Sequence, residues 1–364
     1  MSFILLIFAA WAVIFALQFP LRRKPHPVLR TVVFFIKLLL IPVTALLFVA
    51  IDSKIAYMHG SIFVVVYIAL IGDSAADVVD LIVRCIKRKG VESFRLLLCG
   101  AAGILFCGGV YIYGTWNAEN IREMRHEWKA EGLKREHTFA FAADLHAGSA
   151  QTMDTLRNLC RDINAAKPEF VILGGDVTDE LTSYEDMVET YSILSELEAP
   201  VYFIYGNHDR QPSSGFVSGR TYTDEQLEEE ITRAGIHILK DEYVKTAEDL
   251  VLLGREDISS DARIKWEDLK NPFEGEGALI VADHQPYDKE QLEIESSALQ
   301  ISGHTHAGQL WPLKTVYTLL GLPAFGEFEQ KKTFLYVSAG ANDWMVPIRT
   351  EEHCEWELVT IKQR

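Results

Sequence analysis

Five short polar blocks in this 364-residue chain have the residue types and spacing to do chemistry. They are Asp144-Leu145-His146, Gly175-Asp176-Val177-Thr178-Asp179, Gly206-Asn207-His208-Asp209, His284, and Gly303-His304-Thr305-His306. They hold five of the eleven histidines together with carboxylates and an amide, and they contain no cysteine. Oxygen and imidazole donors without thiolate suit hard-to-borderline divalent ions, and a set this large suits two of them side by side. Most blocks fall where an apolar run ends, and α/β sheets collect ligand-binding groups at strand ends.

Each block has its own logic. In Asp144-x-His146, alternate residues leaving a strand can point to the same side. Asp176 follows two glycines, which let the backbone turn tightly and approach an ion closely. Its two oxygens can bridge two metals, although alone it would serve equally as the N-cap of the next helix. Asn207 offers an amide oxygen to a metal, and His208 can hydrogen-bond a substrate oxygen. Asp209 is expected to fix the tautomer of His208 and raise its basicity, as carboxylates behind a histidine do. His304 and His306, at i and i+2, are expected to project together from an extended segment. His284 alone carries little signal.

The elements that must position these blocks alternate. Apolar runs at 138–143, 170–173 and 201–205 read as strands, separated by helices over 150–166 and 183–197. That order predicts βαβ crossovers and parallel pairing. Residues 224–234 read as an acidic helix. Short strands are expected at 251–253, 279–282, 299–301 and 333–337. Cys160 lies on an apolar helical stripe with Met153, Leu156 and Ile163, which points to packing in the core rather than reactivity. No disulfide framework is expected from Cys85, Cys99, Cys107, Cys160 and Cys354.

With their glycines, in this order, the five blocks resemble the calcineurin-like metallophosphoesterases, over about residues 137–350. The Gly-His-Thr-His-x-Gly-Gln continuation at 303–309 is similar to the bacterial membrane-anchored branch, which includes UDP-2,3-diacylglucosamine pyrophosphatase-like enzymes. The resemblance implies an α/β domain folded as a four-layer αββα sandwich. It implies that Asp144, His146 and His306 bind one metal, that Asn207, His284 and His304 bind the other, and that Asp176 bridges. It leaves His208 for catalysis with Asp209 behind it, and Asp179 as a support for the ligands. The cofactors would be two divalent ions, with Mn, Fe and Zn all compatible with the donors. The activity would be hydrolysis of a phosphomonoester, phosphodiester or pyrophosphate. Three places depart from the branch: Ala307 stands where it usually has glycine, Gly254–Asp257 matches loosely, and His353–Glu357 replaces an expected proline-rich ending.

The composition is split along the chain. Residues 1–116 carry 11 Lys/Arg and 5 Asp/Glu, whereas the remainder is strongly acidic and accounts for the overall charge of −16. Nucleic acid is not expected as a partner, because phosphate contacts need Lys and Arg. Four apolar runs, at 2–19, 31–51, 55–72 and 96–116, are each near the length that spans a bilayer. They predict an all-α transmembrane module over 1–116, and the first run is not expected to be a cleaved signal. Lys37 is expected to snorkel to the nearer interface. Asp73, Asp77 and Asp80 share one helix face, which is expected to extend past the membrane with Asp80 opposite Arg84.

Arg22, Arg23, Lys24 and Arg30 in the first loop, and Arg84, Lys87, Arg88, Lys89 and Arg95 in the third, place both loops in the cytoplasm. The catalytic domain is then expected outside the cell membrane. Residues 117–136 are charged throughout and read as a solvated juxtamembrane helix joining the module to the domain at 137–364. The apolar stretch 310–328, beside the last histidine block, would suit a lipid-linked phosphate or pyrophosphate as substrate with the bilayer as partner, and would equally serve simply to cover the sheet. Two other readings stand beside this one: a phosphodiesterase of soluble nucleotides, and a non-catalytic scaffold that keeps a metal-stabilised fold.

Overall fold

The computed structural model describes residues 3–23, 26–50, 53–86, 92–148, 150, 152–210, 220–273, 275–287, 298–330 and 333–364. Lys24 of the first basic loop and Lys87, Arg88 and Lys89 of the third lie outside them. The chain divides into two compact units, one over Met1–Trp116 with Leu310–Leu313, the other over Asn117–Gln309 with Lys314–Arg364.

The first unit is four helices, α1 (Phe3–Arg23), α2 (Pro27–Ala50), α3 (Ser53–Ile86) and α4 (Glu92–Glu119). All four are long and apolar enough to cross a membrane. α3 runs unbroken through Asp73, Asp77 and Asp80. Asp80 does meet Arg84 one turn on, at 3.1 Å. Lys37 is 3% exposed and pairs with Asp73 at 2.7 Å, an opposite charge supplied by α3.

The second unit is built on two six-stranded sheets. The first sheet runs β1 (Arg122–Ala130), β12 (Glu355–Gln363), β2 (His137–Ala142), β3 (Phe170–Leu173), β4 (Val201–Phe203), β5 (His237–Ile238). From β2 to β5 the pairing is parallel. Every residue of β3 is buried, as an uninterrupted apolar run in a parallel sheet requires. The second sheet runs β10 (Gly326–Gln330), β11 (Thr333–Val337), β9 (Ala298–Ser302), β8 (Ala278–Ala282), β7 (Leu250–Gly254), β6 (Glu242–Ala247). Its four middle strands are also parallel.

Between the sheets, Phe139, Phe141 and Ile172 of the first pack with Leu250, Leu252, Ile280 and Leu299 of the second. The outer face of the first sheet is covered by α5 (Met153–Ala166), α6 (Tyr184–Leu194) and α8 (Asp224–Arg233), through Leu156, Cys160, Met187, Tyr191 and Leu227. Each such buried side chain contributes about 1.5–3 kcal/mol. α5 starts where Thr152 accepts from the Thr155 N–H, and it stops at left-handed Lys167 before Pro168. On the outer face of the second sheet, Trp266, Leu269 and Phe273 cover Val251 and Val281.

Residues 117–136 are not a juxtamembrane helix. α4 ends at Glu119 and residues 122–130 form β1, parallel to β12. The charges misled because they occupy one side only: Arg125, Glu127 and Lys129 are exposed, while Met124, His126, Trp128 and Ala130 turn inward. That is the two-residue period of a half-buried strand.

Candidate metal centre

The parallel strands of both sheets deliver the polar blocks from their C-terminal ends. Asp144 and His146 follow β2, Asp176 follows β3, Asn207 opens the short helix α7 (Asn207–Arg210) after β4, His284 follows β8, and His304 and His306 follow β9. The backbone there is strained. Asp144, His146, Asp176, His304 and His306 all have φ between 42° and 74°, the left-handed region. Such conformations cost about 1–3 kcal/mol each and persist where the surroundings enforce them. The Gly303–His306 block is therefore a tight turn rather than an extended segment, and its two imidazoles separate.

Two donor groups result, Asp144 with His146 and His306, and Asp176 with His284 and His304, with donor atoms in each within 4.8 Å of one another. In the first, His146 Nε2 and His306 Nε2 lie 3.3 Å apart, and His306 Nε2 is 3.5 Å from Asp144 Oδ1. In the second, His284 Nε2 is 2.9 Å from Asp176 Oδ2. The same Oδ2 lies 4.0 Å from His146 Nε2, so Asp176 stands between the groups.

Nδ1 of three imidazoles is tied outward, from His284 to the Gly174 carbonyl at 2.8 Å, from His306 to the Asn342 carbonyl at 3.0 Å, and from His146 to Asp179 Oδ2 at 3.1 Å. A carbonyl or a carboxylate only accepts, so Nδ1 carries the proton and the Nε2 lone pair is left for a cation.

Close packing of the blocks depends on two glycines. Gly175, at φ 90°, would bring a Cβ within 2.7 Å of His284 Nδ1, and a Cβ on Gly206 would sit 2.2 Å from Asp176 Oδ1. Any larger residue at 206 would displace the carboxylate that joins the two groups.

Asn207 Oδ1 supplies the clearest sign of fit to a metal. It is shut off from solvent and has no hydrogen-bond partner among the described residues. An unpaired buried carbonyl oxygen costs about 1–3 kcal/mol, which a coordinated cation would remove. The electrostatics agree. Burial works against charge on both Asp176 and His284, yet His284 holds the Asp176 carboxyl well below its usual range, and Asp176 holds His284 well above its own. Burial, reinforced by His284, pushes His304 down to about 3, and burial with His146 keeps His306 low, so these two present free lone pairs. A buried carboxylate that draws positive charge, with His304 and His306 kept neutral beside it, fits a divalent pair.

His208 belongs to neither group. Its ring lies 5.2 Å from that of His146 and 5.5 Å from that of Trp344. Burial disfavours its charge, but the Glu180 carboxylate, joined by Asp176, raises it to about 10.

Residues 137–308 match the calcineurin-like phosphoesterase family. These residues form a calcineurin-like phosphoesterase family domain. An uncharacterised metallophosphoesterase of Helicobacter pylori is 28% identical over 60% of this chain and 57% of its own length. A transmembrane protein with metallophosphoesterase domain from Danio rerio is 27% identical over 61% of this chain and 52% of its own. The chain thus spans little more than half the length of these two relatives. Phosphodiesterase YaeI of Escherichia coli is 28% identical over 51% of this chain and 70% of its own length.

Within the phosphoesterase domain one expected partnership is replaced. His208 Nδ1 meets Glu180 Oε1 at 2.6 Å, and Asp209 is occupied elsewhere. Asp209 Oδ2 accepts the N–H groups of Asp176 and Gly206 at 2.7 and 3.0 Å, and Oδ1 accepts the N–H and hydroxyl of Thr178 at 2.9 and 3.0 Å. With four donors, Asp209 stitches the Asp176 turn to α7, and it cannot also turn to His208. Its own carboxyl rises to about 6, through burial and the neighbouring Asp176 charge.

Two further residues escaped the sequence. Glu180 needs the β3 and β4 turns brought together before it can meet His208. Arg349, fully buried, donates to the carbonyls of His306 at 3.1 Å and Asn342 at 2.9 Å while Asp343 neutralises it at 2.6 Å. Gln309 also carried a usable signal in the histidine block. Its amide donates to the carbonyls of Trp344 and Val346 at 3.2 and 3.1 Å, which fixes the loop holding Asn342 and Arg349.

Proposed function

We propose that this chain is a membrane-anchored hydrolase of phosphate esters or pyrophosphates that uses two divalent metal ions. Its substrate is lipid-linked, and its catalytic domain stands on the extracytoplasmic side. The observation that carries the reading is the donor arrangement: two groups meet at Asp176, the buried Asn207 oxygen has no hydrogen-bond partner among the described residues, and His208 is left outside both.

In this reading Asp144, His146 and His306 hold one ion, Asn207, His284 and His304 hold the other, and Asp176 lies between. A bound pair of divalent cations supplies Lewis-acid charge for phosphoryl oxygens and a hydroxide nucleophile near neutral pH. The protein does the rest. Glu180 fixes His208 through Nδ1, so Nε2 is the nitrogen that donates to a phosphoryl oxygen and passes a proton to the leaving oxygen. Asp209 holds the Asp176 and Asn207 turns in register. Asp179 and the Gly174 and Asn342 carbonyls keep three imidazoles aimed inward.

A lipid-linked substrate is supported by the segment after His306, where Leu319 and Leu320 are 81% and 65% exposed. Apolar side chains this exposed on a soluble face are typical of surfaces that meet a membrane or an apolar ligand. The extracytoplasmic side is supported by the basic loops that bracket α1–α2 and α3–α4.

The test is hydrolysis of bis(p-nitrophenyl) phosphate by the purified full chain with added Mn²⁺. Turnover should appear with metal and vanish in Asp176→Asn. Turnover that survives this substitution, or no turnover with any of Mn²⁺, Fe²⁺ or Zn²⁺, sinks the hydrolase reading. Faster turnover of a lipid pyrophosphate than of its water-soluble headgroup supports the lipid arm, and equal rates remove it.

A further inference from the structure

The four-helix unit contains a cluster of charges that hydrolysis does not use. Arg22, 1% exposed, meets Asp73 and Asp77 at 2.8 Å each. Lys37 meets the same two carboxylates. Fully buried Asp80 is shared by Arg30, Arg84 and Arg95. Five cations therefore face three carboxylates, an excess of two positive charges among the described residues. Uncompensated charge in a membrane-spanning unit is expensive, so a cluster needed only to join helices would be balanced.

A cavity of about 480 Å³ opens beside this cluster. Its wall holds the guanidinium groups of Arg22, Arg30 and Arg84 against the single carboxylate of Asp77, together with the apolar Phe34, Phe35 and Leu81. Arg22 Nη1 is buried and has no hydrogen-bond partner among the described residues, which leaves a charged donor unmatched in a residue of the cavity wall. Phe35 and Leu81 are each 61% exposed, so the apolar wall continues onto the outer surface of the unit.

We propose that this cavity binds the phosphate headgroup of an anionic membrane lipid. Guanidinium groups match phosphate oxygens in a planar, paired geometry, and three of them converge here with surplus charge. The lipid source rather than free phosphate follows from the apolar wall, which gives the first carbons of an acyl chain a surface to lie on. A headgroup with one negative charge offsets half of the excess and ties α1, α2 and α3 together. The site is independent of the metal centre, and either can be wrong without the other.

The experiment is native mass spectrometry of the full chain in detergent, titrated with dioleoylphosphatidylglycerol and, separately, dioleoylphosphatidylcholine. The wild-type chain should retain the anionic lipid about tenfold more strongly, which is about 1.4 kcal/mol. Arg30→Gln with Arg84→Gln should remove that preference, as should Thr31→Trp, which fills the cavity and leaves every ion pair in place. The second variant keeps the test decisive if the first fails to fold. Equal retention of the two lipids by the wild type overturns the proposal, as does undiminished anionic-lipid retention in folded Thr31→Trp. Displacement of the lipid by equimolar inorganic phosphate overturns the lipid assignment.

Discussion

His208 gives its Nδ1 to Glu180, at 2.6 Å, and not to its chain neighbour Asp209. A carboxylate 28 residues away thus favours the charged form of His208, which lies outside the two donor groups.

Glu180→Gln should therefore lower kcat by about 10- to 100-fold, the usual cost of losing a carboxylate behind a functional histidine, with KM little changed. The sign of the pH effect is fixed. Glu180 raises His208 to about 10, so its removal lowers that value and moves the alkaline limb of kcat to lower pH. An alkaline limb in the wild-type position would rule out this role for Glu180.

Asp209→Ala should act through structure. It strips the acceptor from four donors that are buried around the Asp176 turn. At about 1–3 kcal/mol for each unpaired group, a total loss of at least roughly 3 kcal/mol is expected, read by urea denaturation. A loss below about 1 kcal/mol would mean that water or a rearranged turn replaces the carboxylate.

Ala307 sits at φ 50°, next to His306, where the related branch usually has glycine. Ala307→Gly relieves a left-handed alanine and adds unfolded-chain entropy, and the relief is the larger effect. Stability should rise by about 1 kcal/mol, seen as a higher Tm, with the fold and turnover retained. A lower Tm would show that the alanine methyl packs better than the strain costs.

Glu357, fully buried on β12, has its carboxyl held well above the usual range by burial and by the Glu355 charge. A raised carboxyl is neutral in the folded chain and ionised in the unfolded one once pH passes the ordinary value of 4.5. Stability is then lost as pH rises from that value towards the folded one. Thermal unfolding should show the decline, and Glu357→Gln should flatten it. An identical slope in the variant would remove Glu357 as its source.

The proposed sidedness predicts that a cysteine at Gln363, which is exposed, reacts with an impermeant maleimide added to intact cells carrying Cys85→Ser. Labelling only after lysis would place the domain in the cytoplasm.

Much of this was readable in the chain because it is local. Apolar runs that stop at glycine or aspartate mark β2, β3 and β4, and the polar blocks follow them. What was hidden depends on distant partners. β1 carries its charges on one face, so composition suggested a solvated helix, while Trp128 and Ala130 kept the two-residue period. The partner of Lys37 was hidden too, since only the packing of α3 brings Asp73 to it. Glu180 and Arg349 have no spacing signature, since each acts across turns that meet only in the folded domain. The left-handed turn at 304–307 was equally invisible, because histidine and alanine rarely announce a positive φ.

The central claim is a two-ion centre joined by Asp176, and metal content tests it most directly. The full chain, stripped with chelator, reloaded with Mn²⁺ and freed of excess ion, should hold two ions per chain by inductively coupled plasma mass spectrometry, and Asp176→Asn should hold fewer. A wild-type chain that retains no ion, or an Asp176→Asn chain that still retains two, would contradict the account.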